Sequence, residues 1–155
     1  MFREMRLKKQ ALSTEEIEEL LGNATHGTLA LNGDDGYPYS VPVNFVYNDG
    51  KIYFHGAGEG YKVDCIARDD KAAFSVVGKD DIKSDKFTSV FSSVIAFGHV
   101  KVLEDREEKL QVMYKMLEKF SPDHMEKGRK AAEGSCNACG YVFTIEHMTG
   151  KKAAV

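Results

Sequence analysis

Residues 55–62, His-Gly-Ala-Gly-Glu-Gly-Tyr-Lys, hold the side chains of this chain whose types and spacing best suit chemistry. His55 ends an alternating apolar run, glycines follow at 56, 58 and 60, and Lys62 falls in the first turn of a short helical pattern over 61–68. A flexible backbone, a cation and a helix N-terminus together suit the phosphate of a nucleotide-like cofactor. The unpaired N–H groups of a first helical turn and the positive end of its dipole both favour an anion. On spacing alone, a solvated lysine beside a tight glycine turn explains the segment equally well. Two better-known phosphate motifs fail here. A GxGxxG fingerprint begun at Gly56 needs glycine where Tyr61 stands, and a Walker loop needs Gly-Lys-Ser/Thr where Tyr61-Lys62-Val63 stands.

A histidine that closes a strand beside a glycine-rich loop is placed to face a ligand, although an edge histidine without a function is the more frequent case. The other histidines, 26, 99, 124 and 147, form no metal-ligand spacing. Cys136-Asn137-Ala138-Cys139 could be half of a zinc site or a redox pair. Zinc needs two further ligands, and there is no second CxxC; a thioredoxin-like pair would precede a helix, whereas this one precedes a strand pattern. A structural or incidental role is the favoured reading of the pair, and no metal site is expected. No Ser/His/Asp arrangement or paired carboxylates stand out, so an enzyme built on this chain takes its reactivity from a cofactor.

The elements that must position these residues follow from periodicity. Ser13-Thr14-Glu15-Glu16 is a capping box opening a helix over about 14–22, with Ile17, Leu20 and Leu21 at helical spacing. Strands are predicted at 26–33, 37–47 and 51–55, the second alternating through Tyr39, Val41, Val43, Phe45 and Tyr47. A helix at 61–68 carries Cys65 on its apolar side, and a strand at 71–79 leads into a polar loop at 80–88. Residues 89–103 make one long strand, which Ser92-Ser93 or Gly98 could kink. Its centre, Val94 to Phe97, is apolar on both faces. Asp105 caps a helix with Leu110, Met113 and Leu117 as its buried stripe. Ser121-Pro122 opens another short helix, and 141–151 is the last strand. The fold class is mainly β (α+β). Hairpins dominate, so the sheet is antiparallel and closes into a small barrel that removes its edges.

The chain has 155 residues, which suits one domain over 1–155. A net charge of −3 and basic residues interleaved with acids give no footprint for nucleic acid. No apolar run nears the roughly 20 residues of a membrane span. Three cysteines, two of them in one CxxC, argue against a secreted disulfide scaffold and place the chain in a reducing cytoplasm.

The runs Tyr-Ser-Val-Pro-Val-Asn-Phe-Val-Tyr (39–47) and Gly-Lys-Ile-Tyr-Phe-His-Gly-Ala (50–57), with Glu-Gly-Tyr-Lys (59–62), resemble the pyridoxamine 5′-phosphate oxidase-like FMN-binding split-barrel superfamily. The likeness is greatest to its nitroimidazole-resistance branch. Ser-Val-Ile-Ala-Phe-Gly (93–98), Leu-Glu-Asp-Arg-Glu-Glu-Lys (103–109) and Ile-Glu-His-Met-Thr-Gly-Lys (145–151) fall in the matching order. The resemblance implies a six-stranded antiparallel split barrel with flanking short helices, and a homodimer with FMN at the subunit interface. It implies that Val43, Asn44 and Phe45 line the flavin edge, that Gly56 and Ala57 allow close backbone approach, and that Lys62 neutralises the phosphate. His55 would face flavin and substrate as the catalytic group, with Ser92 and Ser93 as phosphate or ribityl contacts. Arg6 and Lys151 would reach the site from either subunit. The basic residues that grip pyridoxal phosphate in true pyridoxamine phosphate oxidases are not evident, because the chain closes on Lys-Lys-Ala-Ala-Val. The CNAC motif has no counterpart in the pattern.

The leading expectation is an FMN-dependent oxidoreductase that reduces a small organic substrate, a nitroimidazole or nitroaromatic compound being the branch's suggestion. The alternatives are a non-catalytic FMN carrier or sensor, a haem-binding split barrel with a histidine ligand, and a zinc-bound module using Cys136 and Cys139.

Overall fold

Alternating apolar residues give each strand one inward face. In the computed structural model, which describes residues 1–135 and 138–153, seven strands share that interior. They are β1 His26–Asn32, β2 Pro38–Asn44, β3 Val46–Asn48, β4 Lys51–Ala57, β5 Lys71–Lys83, β6 Thr88–Leu103 and β7 Ala138–Lys152. Every pairing is antiparallel, and the order is β2-β1-β5-β6-β7-β4-β3. The two ends of that order adjoin in sequence, because only Phe45 separates β2 from β3. One extended segment, 38–48, therefore pairs with β1 through its first part and with β4 through its last. The sheet closes on itself and its edges disappear. The expected six-stranded barrel is present, with one of its strands broken in two.

Phe45 marks the break. Its side chain is wholly buried, edge-on to Phe74 at 5.2 Å between ring centroids, and Phe74 in turn lies 6.1 Å from Phe143. Leu29, Ile52, Phe54, Val94 and Tyr141 complete the centre of the core. On β6, Val94 and Ala96 point inward while Ile95 and Phe97 stay exposed on the outer face. The Phe2 ring stacks on Phe97 and on His147 at 5.5 and 5.0 Å.

Four helices flank the barrel: α1 Thr14–Asn23, α2 Tyr61–Arg68, α3 Arg106–Phe120 and α4 Met125–Gly134. The Ser13 hydroxyl accepts from the Glu16 N–H while the Glu16 carboxylate accepts from the Ser13 N–H, so the capping box is formed. The Asp105 carboxylate accepts from the Glu108 N–H at 3.1 Å and starts α3. Among the described residues, no helix is long and apolar enough to cross a membrane.

Two elements differ from the periodicity reading. The polar segment 80–88 is not a loop: β5 and β6 continue as a two-stranded ribbon from Lys79↔Ser92 to Lys83↔Thr88, after a register shift between Val77 and Lys79. Backbone pairing carries the ribbon, so no apolar alternation announces it. On α3 the fully buried residues are Val112 and Met116, while Leu110, Met113 and Leu117 are only half-buried. The helix is rotated from the expected stripe, and its second apolar stripe faces a cavity.

Replacing Phe45 with Ala should lower unfolding free energy by about 3–5 kcal/mol, the usual range for emptying a phenylalanine site in a core. Urea denaturation measures it; a loss under about 1 kcal/mol would show that closure does not hang on this ring.

Candidate functional site

The glycine loop after β4 delivers α2 through Gly60, whose φ of +125° is a backbone conformation that suits glycine. Among the described residues no side chain caps the helix, so its first N–H groups are free to meet a ligand. Both ends of α2 are tied to the turn between β1 and β2. The Tyr61 hydroxyl accepts from the Asp34 N–H at 2.7 Å, and the Tyr61 ring lies edge-on to Tyr39. Arg68 donates to the Asp34 carboxylate at 2.7 Å and to the Asn32 carbonyl at 2.9 Å.

Lys62, in the first turn, folds back across Gly56. Its ammonium lies 5.2 Å from the Tyr141 ring centroid and 5.9 Å from that of Phe54, two rings stacked nearly parallel at 4.9 Å. A Cβ at position 56 would lie 3.3 Å from the ammonium, so the missing side chain makes the notch. Among the described residues no carboxylate pairs with Lys62, and burial holds its pKa below the usual lysine value. A half-buried cation held on aromatic faces without a counter-ion suits an anion. The Tyr141 hydroxyl donates to the Ala57 carbonyl at 2.6 Å, and burial pushes its pKa up to about 12, so it remains a neutral donor.

Alternation along β4 sends His55 to the opposite face from Gly56. There it lines a cavity of about 390 Å³ with Thr25 and Asn44 from the barrel, Met113, Met116, Leu117 and Phe120 from α3, and Ser121. The β3–β4 ladder begins at Val46, and Asn44, paired with His26 on β1, reaches the same cavity from beyond the Phe45 break. The Asn44 amide donates to the Thr25 carbonyl at 3.0 Å, which fixes its orientation. Burial, and after it the charge of Lys62, lowers the His55 pKa below the ordinary imidazole value. The ring keeps solvent access on its open side, so water screens part of both effects.

The structure therefore brings together some of the expected site residues and separates others. Asn44 and His55 share the cavity, and Gly56 and Lys62 share the notch on the other face of the strand. Val43 packs toward the core and the Phe45 ring is inside it, so both offer a ligand only backbone. Ala57 closes β4 opposite Ala138. Ser92 and Ser93 pair with Lys152 and Lys151, at the other end of β7 from Gly140, the partner of His55. Ser92 lines a larger groove, about 460 Å³, beside α1. That groove's Glu16 and Lys152 already pair with each other at 2.8 Å, leaving less to recognise a ligand than the cavity at His55. The Lys151 ammonium rests over the Phe91 ring. Cys139 pairs with Gly56 across β4 and β7, and Cys136 lies outside the described residues. Thr25, Met113, Phe120 and Ser121 carry no motif; the one available signal was an apolar surface on α3 wider than a single buried stripe.

Residues 13–152 match the family described as pyridoxamine 5′-phosphate oxidase. No curated protein matches the chain. Among solved structures, the flavocytochrome Anf3 of Azotobacter vinelandii superposes with a TM-score of 0.82 at 17% identity, covering 99% of this chain and 73% of that one. A Bacteroides thetaiotaomicron protein described as a candidate 5-nitroimidazole antibiotic resistance protein gives 0.77 at 22% identity, over 92% and 86%. The FAD and haem binding protein of Mycobacterium smegmatis gives 0.77 at 22% identity, over 95% and 74%. At such identities the likeness speaks for the fold.

His55 provides a test of the electrostatics. Its folded pKa is lowered, so the native state binds fewer protons than the unfolded chain between that value and about 6.5, and His55 reduces stability as pH falls through this window. Lys62→Met removes the second cause only. The His55 midpoint, read by NMR titration, should rise part of the way to the ordinary value, and the acid-side loss of stability should shrink. An unchanged midpoint would show that Lys62 does not reach His55.

Proposed function

The chain belongs to the pyridoxamine 5′-phosphate oxidase family, and from that membership we propose a homodimeric flavoprotein that uses FMN to pass electrons from a reduced nicotinamide or another small reductant to a small organic compound, of the nitroaromatic or nitroimidazole type. The observation that carries this reading is the Lys62 notch. An unpaired ammonium over Gly56, beside the uncapped N-terminus of α2, offers several donors to one terminal phosphate. One cation and one helix end suit the single phosphate of FMN. Neighbours described as a flavocytochrome and as an FAD and haem binding protein support a flavin in this fold.

Lys62 and the first N–H groups of α2 would hold the phosphate, Gly56 would admit the cofactor close to the backbone, and the backbone of Val43 to Phe45 would border its ring system. Bound FMN would supply two-electron redox chemistry that none of the side chains lining the His55 cavity offers. His55, mostly neutral near pH 7, would present one N–H and one lone pair to a substrate, and Asn44 in the same cavity would orient the molecule. Among the described residues no lysine or arginine lines the His55 cavity, so a phosphorylated amine such as pyridoxamine phosphate finds no cationic side chain for its phosphate there. An uncharged, compact substrate fits the apolar α3 wall. The dimer reading is supported by the exposed apolar residues Val77, Ile95 and Phe97 on the outer face of β5 and β6. It would also give Ser92 and Ser93, remote from Lys62 within one chain, a route to the partner's site.

The purified protein should be yellow and release FMN on denaturation. Lys62→Met should weaken FMN binding by about 10- to 100-fold, the worth of a charge-assisted hydrogen bond to phosphate. His55→Ala should retain the flavin and slow anaerobic turnover with a nitroaromatic substrate. Colourless protein that leaves FMN fluorescence unquenched would sink the assignment, and a Soret band in place of flavin bands would transfer it to haem.

A further inference from the structure

Lys119 lies in the last turn of α3, yet among the described residues its ammonium pairs with no acid. It donates to two backbone carbonyls, those of Ala24 and of Phe45, the latter at 3.0 Å. The same ammonium lies 4.5 Å from the centroid of the Phe45 ring and 5.3 Å from that of Phe120. The acceptors come from different parts of the barrel. Ala24 follows α1, and Phe45 is the strand break, whose carbonyl falls outside the ladders to both β1 and β4. Each acceptor is also the chain neighbour of a residue lining the His55 cavity: Ala24 adjoins Thr25, and Phe45 adjoins Asn44. On the helix side, Phe120 adjoins Lys119 and lines the same cavity. One ammonium thus ties together the chain neighbours of residues on both walls of the cavity, while itself lining the adjoining groove with Val46, Tyr47 and Lys115.

We infer that Lys119 is a positioning residue that holds the α3 wall against the strand break and so sets the width of the cavity in which His55 and Asn44 receive a ligand. Its role toward a ligand rests on the flavin reading above; its role toward the walls does not. Lys115, one turn earlier, shows that α3 does not treat its lysines alike. Its ammonium lies 5.4 Å from the centroid of the Tyr53 ring and, among the described residues, donates to no backbone carbonyl. A lysine that only satisfied two carbonyls would affect stability alone. A lysine that sets the cavity width also changes how dry His55 is and how tightly a small ligand is gripped.

The test uses the full chain with Lys119→Met, Lys119→Arg and, as a control for lost charge on the same helix, Lys115→Met. In flavin-free protein, NMR titration of His55 should show its midpoint rising in Lys119→Met as water enters the cavity. Lys119→Arg, which retains two donors and the charge, and Lys115→Met should leave it in place. With FMN bound, Lys119→Met should raise KM for 2-nitroimidazole by about tenfold or more, the scale of losing a charge-assisted contact, with flavin content unchanged. A folded Lys119→Met protein with an unmoved His55 midpoint and an unmoved KM would overturn the inference. If Lys119→Met does not fold, Lys119→Gln, which retains a donor, is read by the same titration, and an unmoved midpoint overturns the inference equally. Wild-type protein that binds no FMN would reject the flavin reading, and the His55 titration would still decide the role of Lys119.

Discussion

The barrel exists because one extended segment serves two neighbours, and the peptide at Phe45 is where it changes allegiance. A residue between two ladders leaves its backbone groups outside both, and in a closed barrel those groups face protein rather than water. Both are provided for locally: the Phe45 N–H donates to the Thr25 carbonyl at 3.4 Å, and its own carbonyl accepts from Lys119. The ring meanwhile fills the barrel beside Phe74. Closure turns on that single peptide, and the contact with Lys119 ties it to α3, whose Val112 and Met116 pack separately on Leu103, Val46, Tyr53 and Val142.

β4 then separates two kinds of chemistry by the thickness of one strand. Its inward face, through Gly56, meets a cation on stacked aromatic rings; its outward face, through His55, meets an apolar helix wall. The two faces communicate by charge. Lys62 is the second cause of the lowered His55 pKa, so an anion settled on Lys62 would remove that contribution and let the imidazole hold its proton to higher pH. Binding on one side of the strand would adjust acid–base behaviour on the other without any backbone movement.

Much of this was legible in the sequence, in proportion to how directly a residue's type reports its surroundings. The helix at 61–68 is read correctly from spacing because a glycine run delimits it and Cys65 and Ile66 are buried. Lys62 and His55 stand out by residue type beside a glycine loop, whereas Asn44 entered by likeness to a family. The break at Phe45 was hidden, because alternation through Val41, Val43, Phe45 and Tyr47 tells inside from outside but not which strand is the partner. The ribbon at 79–92 was hidden because two strands away from a core have no inside to mark. On α3, two apolar stripes lie side by side, and periodicity alone does not say which meets the core. Ser92 and Ser93 entered by likeness to a family, and one chain alone holds them far along β7 from His55.

The ribbon beyond the barrel carries a consequence for how copies of the chain behave in a crowded solution. Past Ser75, β5 has no pairing with β1, so residues 79–83 offer unpaired N–H and C=O groups to any passing extended chain. Ile82 and Phe87 at its tip are well exposed and would reward such an encounter. The same few positions carry Lys79, Asp80, Asp81, Lys83, Asp85 and Lys86, with Lys83 and Asp81 paired at 2.7 Å. Adding a strand there would strip water from several charges at once. The mixed charges act as gatekeepers that keep a bare edge from seeding fibrils, and the closed barrel needs no such guard.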